Sequence, residues 1–161
     1  MYEPTKIKFL FIDECVPIDE EFHFYNEHSF LFTYTQLAFK KIYDNKILDN
    51  SNFLSFLKEK GVFIDYLIPK KNIKFNSIND YEQKQYIKNL AMRIKKYSPI
   101  IIVTIRKLIK KPVMESIILS GLDIQSFYIP FPTFPNQLKY VDELSNILYK
   151  FVVESNEKEE L

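Results

Sequence analysis

Only two glycines occur in this 161-residue chain, Gly61 and Gly121, and each falls between a helix-patterned stretch and an apolar run. That is the position where a helix needs a left-handed residue to leave its last turn, a conformation glycine adopts without steric cost. Helix, glycine, strand, occurring twice, predicts alternating βα units. Right-handed crossovers then put helices on both faces of a small parallel sheet.

The strands follow from apolar runs. Within Lys6–Pro17 the stretch Ile7–Ile12 is apolar but for Lys8, rich in Phe and Ile, and suited to a strand covered on both faces. It is expected to stop at the carboxylate pair Asp13 and Glu14, with Pro17 unable to donate to a ladder. Val62–Pro69, interrupted by Asp65, is a second strand; Ile100–Thr104, β-branched throughout, is a third; Gln125–Ile129 is a fourth. Ser29 caps a helix over 30–43 that Asp44-Asn45 closes, and Asn50 or Ser51 caps another that ends at Gly61. A long helix spans 80–97 before Pro99. Pro112 sits in the first turn of a helix over 113–120, and an amphipathic helix spans 136–152 after the proline-rich segment 130–135. The order β-α-α-β-α-β-α-β-α predicts an α/β chain: a three-layer α/β/α sandwich with a four-stranded, mainly parallel central sheet. Residues 1–153 form one domain, and 154–161 a polar, frayed tail.

Composition narrows the chemistry. Apolar residues make up 47%, as in a folded globular chain. A single cysteine excludes an internal disulfide framework and any all-cysteine metal site built by this chain alone. No signal peptide or long apolar run is present, so the expected location is the cytoplasm, with no membrane partner. Charge is segregated. Residues 69–111 carry ten Lys and two Arg against Asp80 and Glu82 only; residues 1–50 carry five Lys against nine acids, and no Lys or Arg occurs in residues 9–39. A basic half beside an acidic corner suits an enzyme that holds a polyanion and applies carboxylates to it. In open parallel sheets ligands bind beyond the carboxyl ends of the strands, which puts the candidate site at Asp13–Pro17.

Two loops and one strand resemble the uracil-DNA glycosylase superfamily, whose fold is a three-layer α/β/α sandwich with a four-stranded sheet. Asp13-Glu14-Cys15-Val16-Pro17 resembles the motif that follows its first strand, with Glu14 at the Glu position, Pro17 displaced by one, and Asp19-Glu20-Glu21 similar to the acids that follow. Phe30 resembles the aromatic that stacks on the extruded base. Asp65 falls near the strand-two Asn that reads the uracil edge. Phe131-Pro132-Thr133-Phe134-Pro135-Asn136 is similar to the second motif, a His-Pro-Ser-Pro-type loop, with Phe131 in place of His. The resemblance spans nearly the whole chain in the same order of elements.

It implies a monomeric hydrolase of base excision repair that removes uracil, or a related deaminated base, from single- or double-stranded DNA, without cofactor or metal. Glu14 is the first candidate to position water, Asp13 the second; Phe30, Phe22, Tyr25 and Asp65 would hold the base. Pro132, Thr133, Asn136, Lys70, Lys71, Arg106 and Lys107 would contact DNA. Two alternatives stand beside it. One is a glycosylase-like scaffold that only binds nucleic acid or a partner protein. The other is a metal-dependent nuclease or phosphoesterase using the acids of 13–28, a loop in which His23 and His28 also offer a divalent-metal site.

Overall fold

A computed structural model describes residues 2–43 and 48–159, with side chains as far as residue 153. The first strand, β1 (Phe9–Val16), lies between β2 (Val62–Lys71) and β3 (Ile101–Thr104), and β4 (Gln125–Tyr128) pairs with the outer side of β3. All three pairings are parallel; Phe9 sits opposite Val62 and Ile101, and Ile12 opposite Asp65 and Thr104.

Being paired on both edges and covered on both faces, β1 feeds two cores by simple alternation. Phe9 and Phe11 enter one with Phe24, Phe32, Phe53 and Tyr140, beneath α1 (Phe30–Ile42), α2 (Asn50–Glu59) and α5 (Gln137–Glu159). Leu10 and Ile12 enter the other with Leu90, Ile94, Val113 and Ile117, beneath α3 (Asp80–Tyr97) and α4 (Lys110–Ser120). This is the expected three-layer α/β/α sandwich, its sheet wholly parallel. Between α1 and α5, Thr35 and Tyr140 share a buried hydroxyl hydrogen bond of 2.7 Å. Among the described residues no helix is long and apolar enough to cross a membrane.

Local signals set most ends. Ser29 caps α1 by accepting the Phe32 N–H, and Asn79 caps α3 by accepting that of Glu82. The cap of α2 is Asp49, one residue before the expected Asn50, accepting from the Asn52 N–H at 3.0 Å. Helix α4 begins at Lys110, with Pro112 third, and α5 runs past Val152 to Glu159, into the segment expected to fray. The Asp44-Asn45 terminator lies outside the described residues.

The first strand departs from expectation in a way that matters. It does not stop at the carboxylates: Asp13 pairs with Tyr66 and Cys15 with Ile68, and the register shifts only between Cys15 and Val16. The ladder to β2 outlasts the apolar run, so Asp13 and Glu14 are strand residues that alternate between faces.

Both glycines are left-handed, with φ of 75° and 73°. A Cβ on Gly61 would lie 2.6 Å from the Lys6 carbonyl oxygen, whereas one on Gly121 would meet nothing within 4 Å. Gly121→Ala is therefore expected to cost about 1–2 kcal/mol through its backbone conformation alone, and Gly61→Ala clearly more. Urea unfolding of the two variants checks the order.

Candidate functional site

The chain leaves β1 toward β2 over one face and returns from β2 to β3 over the other. The connections therefore diverge between β1 and β3, and a crevice opens above their carboxyl ends, as at the switch point of any doubly wound sheet. Asp13 and Arg106 stand there. Arg106 Nε donates to Asp13 Oδ1 at 2.5 Å, and the guanidinium carbon lies 4.1 Å from the centre of the Phe131 ring. The exits of β1, β3 and β4 thus meet in one cluster of acid, base and ring.

The crevice is a cleft of about 450 Å³. Asp13 and Cys15 line it from β1 and Pro17 from just past its end, and Arg106, Phe131 and Thr133 close the side beyond β3 and β4. Phe22 and Phe30 contribute rings that are 51% and 54% exposed, large apolar surfaces held at a rim. Asn72 and Lys74, just past β2, add polar and cationic groups. Asp13 is itself 4% exposed, yet among the described residues its Oδ2 has no hydrogen-bond partner, and neither do the two terminal amino groups of Arg106. A carboxylate oxygen and a guanidinium fork remain available to a ligand. The Cys15 thiol, by contrast, is pushed above its ordinary value, chiefly by burial, which disfavours the nucleophilic thiolate.

Several predicted residues are used elsewhere. Glu14, the first candidate to position water, is turned by strand alternation to the opposite face. Its Oε1 accepts the Phe75 N–H at 2.9 Å and its Oε2 lies 3.5 Å from Lys74 Nζ, so it fastens the 3-10 turn Phe75–Ser77 beneath the sheet. Of the two candidates, Asp13 is the one that lines the cleft. Asp65, expected at the base edge, shares Glu14's face. Its Oδ2 accepts from Arg93 Nε at 2.6 Å, and Arg93 also donates to the Tyr66 carbonyl. Burial first, and Asp65 second, push the neighbouring Tyr97 hydroxyl up to about 12.

Tyr25 lies outside the cleft. Its hydroxyl accepts the Ile64 N–H at 3.4 Å, its ring stacks on Tyr2, and it lines an adjacent depression with His23, His28 and Lys71. Among the described residues no group of three or more His, Cys, Asp or Glu gathers to hold a metal ion, so the acids and histidines of 13–28 form no such centre. Lys70 reaches over the Tyr86 ring and Lys107 is exposed in a 3-10 turn; neither lines the cleft. Pro132 is buried. Asn136 opens α5: its carbonyl accepts the Tyr140 N–H, and its own N–H is spent on the Thr133 carbonyl. Asn72 and Lys74, not anticipated as cleft residues, belong to the basic 70–74 loop whose charge is visible in the sequence but whose register is not.

No family model and no curated protein matches the chain in sequence.

Two outcomes test these assignments. Glu14→Ala strands the Phe75 N–H and is expected to cost about 1–3 kcal/mol, whereas Glu14→Gln, which keeps an acceptor, costs less; urea unfolding distinguishes them. Tyr97 keeps its proton to about pH 12, against an ordinary 10.0. Its contribution is full below pH 10 and is lost as pH rises from there through 12, because the unfolded chain ionises first. The fall in stability over that window should be shallower in Tyr97→Phe, as read by melting temperature against pH.

Proposed function

We propose that this protein is a DNA glycosylase that removes uracil, or a related deaminated base, by hydrolysing its N-glycosidic bond, a repair activity of a cytoplasmic monomer that needs no cofactor. One observation carries the reading. Asp13, Cys15 and Pro17, Phe22 and Phe30, and Phe131 and Thr133, far apart in sequence, line one cleft at the switch point of the sheet. That cleft combines a shielded carboxylate, exposed rings and cations, the groups that base excision requires.

The chemistry can be followed through these residues. An extruded base forfeits a few kcal/mol of stacking and pairing, partly returned when it lies against an aromatic ring. Phe30 and Phe22 are the exposed rings of the cleft. As the bond to the base stretches, the sugar gains oxocarbenium character, and a fixed carboxylate beside it lowers the barrier. Asp13 Oδ2 is free to accept a proton from water attacking the sugar carbon. Lys74 supplies a positive wall for phosphate, and the Thr133 hydroxyl a neutral donor.

A second reading has its own support. With Asp65 tied to Arg93 and Phe131 standing where the resembling family has His, the base-edge readers of that family are missing. A scaffold that binds nucleic acid without excising a base then follows, with salt-dependent affinity as its mark.

An oligonucleotide carrying one uracil, treated with protein and then alkali, separates the two on a gel. Excision is expected from the wild type. Asp13→Asn should lose about 10²–10⁴-fold, while Glu14→Gln, if folded, keeps most of the activity. Phe30→Ala should weaken substrate capture by about 1–3 kcal/mol. Salt-dependent binding with no cleavage above blank would establish the second reading instead.

A further inference from the structure

We infer that Arg106 receives the departing base as an anion, doing with a guanidinium what the 131–136 loop, lacking histidine, cannot do. The inference rests on the glycosylase reading and deepens it.

Arg106 is held from two sides. Nε is bonded to Asp13, and the flat guanidinium lies 4.1 Å from the Phe131 ring centre. The two groups that hold it leave both terminal amino groups without a hydrogen-bond partner among the described residues, on the wall of the cleft. A guanidinium fixed in plane with free paired donors matches a two-atom anionic acceptor far better than a flexible ammonium does. Uracil leaving as an anion offers such an acceptor, since its charge is shared between the ring nitrogen that was bonded to sugar and the adjacent carbonyl oxygen. Phe131, which replaces histidine in the loop, then serves as the platform on which the cation rests.

The charges also run the right way. Cleavage moves an electron pair from the sugar carbon–nitrogen bond onto the base, leaving sugar positive and base negative. Asp13 and Arg106 set a negative and a positive group side by side before any reaction, so they need not reorganise as that separation develops. Water oxygen bonds to the sugar carbon and gives one proton to Asp13 Oδ2, which returns it to solvent. The base anion takes a proton from solvent as it departs, and Arg106 stays protonated throughout. A backbone phosphate is the other oxyanion this fork suits, and the test separates the two.

Single-turnover excision is measured on oligonucleotides carrying uracil or 5-fluorouracil, whose fluorine stabilises the leaving anion and lessens its need for help. Arg106→Gln is expected to lose about 10²–10³-fold on uracil, the usual effect of removing a transition-state donor, and at least about tenfold less on 5-fluorouracil. Arg106→Lys, which keeps the charge, should fall between. Phe131→Leu leaves the Asp13 pair in place and should lose about fivefold on uracil, the worth of one cation–π contact, with little change on 5-fluorouracil; it carries the test if Arg106→Gln fails to fold. Equal losses on both substrates would overturn the inference while leaving the glycosylase reading intact. So would a change confined to KM with the salt slope of binding reduced by about one, which would make Arg106 a phosphate contact. A wild type inert on both oligonucleotides removes the glycosylase reading, and this inference with it.

Discussion

A strand bonded along both edges cannot twist a side chain away from the face that its place in the sequence assigns. That constraint on β1 governs the molecule. Phe9 and Phe11 must serve one core, Leu10 and Ile12 the other, and beyond the last β3 partner the ladder to β2 alone carries the same alternation into the acids that follow. Asp13 and Glu14 therefore part company at the backbone. Glu14 is absorbed into the lower layer, where a buried carboxylate is tolerable only because an amide and a lysine meet it. Asp13 emerges into the cleft with one oxygen committed and one open.

The segregation of charge along the chain has a structural meaning beyond solubility. Each of the three buried carboxylates on or beside β1 draws a cation from the basic 69–111 region: Arg106 for Asp13, Lys74 for Glu14, Arg93 for Asp65. The three pairs are not equal. Lys74 is long, exposed and 3.5 Å away, so its attraction is heavily screened. Arg93 and Arg106 make short, directed contacts at the carboxylates, and Arg93 adds a carbonyl as second acceptor. Removing one partner of such a pair leaves an uncompensated charge in a poorly solvated place, which is the costly event.

Features written in neighbouring residues were legible from the chain alone. Helix α3 occupies the 80–97 expected from its periodicity, because Asn79 can cap it and Pro99 bars its continuation. Gly61 and Gly121 are left-handed because the helices before them must stop and turn. The rim that gathers 13–17 and 131–133 was also foreseeable, since parallel strands deliver all their carboxyl ends to one side. What escaped was whatever depends on pairing between distant segments. The end of β1 is decided by how far β2 runs beside it, and polar Asp13 and Glu14 read locally as a loop. Whether Asp65 is a ligand group or a tethered one depends on Arg93, 28 residues on. That Arg106 and Phe131 meet depends on β3 and β4 being neighbours, which hydropathy does not specify.

The register shift at the end of β1 has a mechanical result. There the Asn72 N–H bonds to the Val16 carbonyl at 3.1 Å, and Asn72 turns with φ 53°, which asparagine tolerates well. The segment leaving β2 is thereby stitched onto the central strand at the mouth of the cleft. Main-chain stitching of this kind fixes that side of the opening, so its outline there follows the register of two strands. Phe22 and Phe30 stand on the same lining but outside that stitching, as half-exposed side chains whose rotamers turn on the picosecond-to-nanosecond scale. The mouth is thereby asymmetric, hemmed by main chain on one side and by side-chain rings on the other.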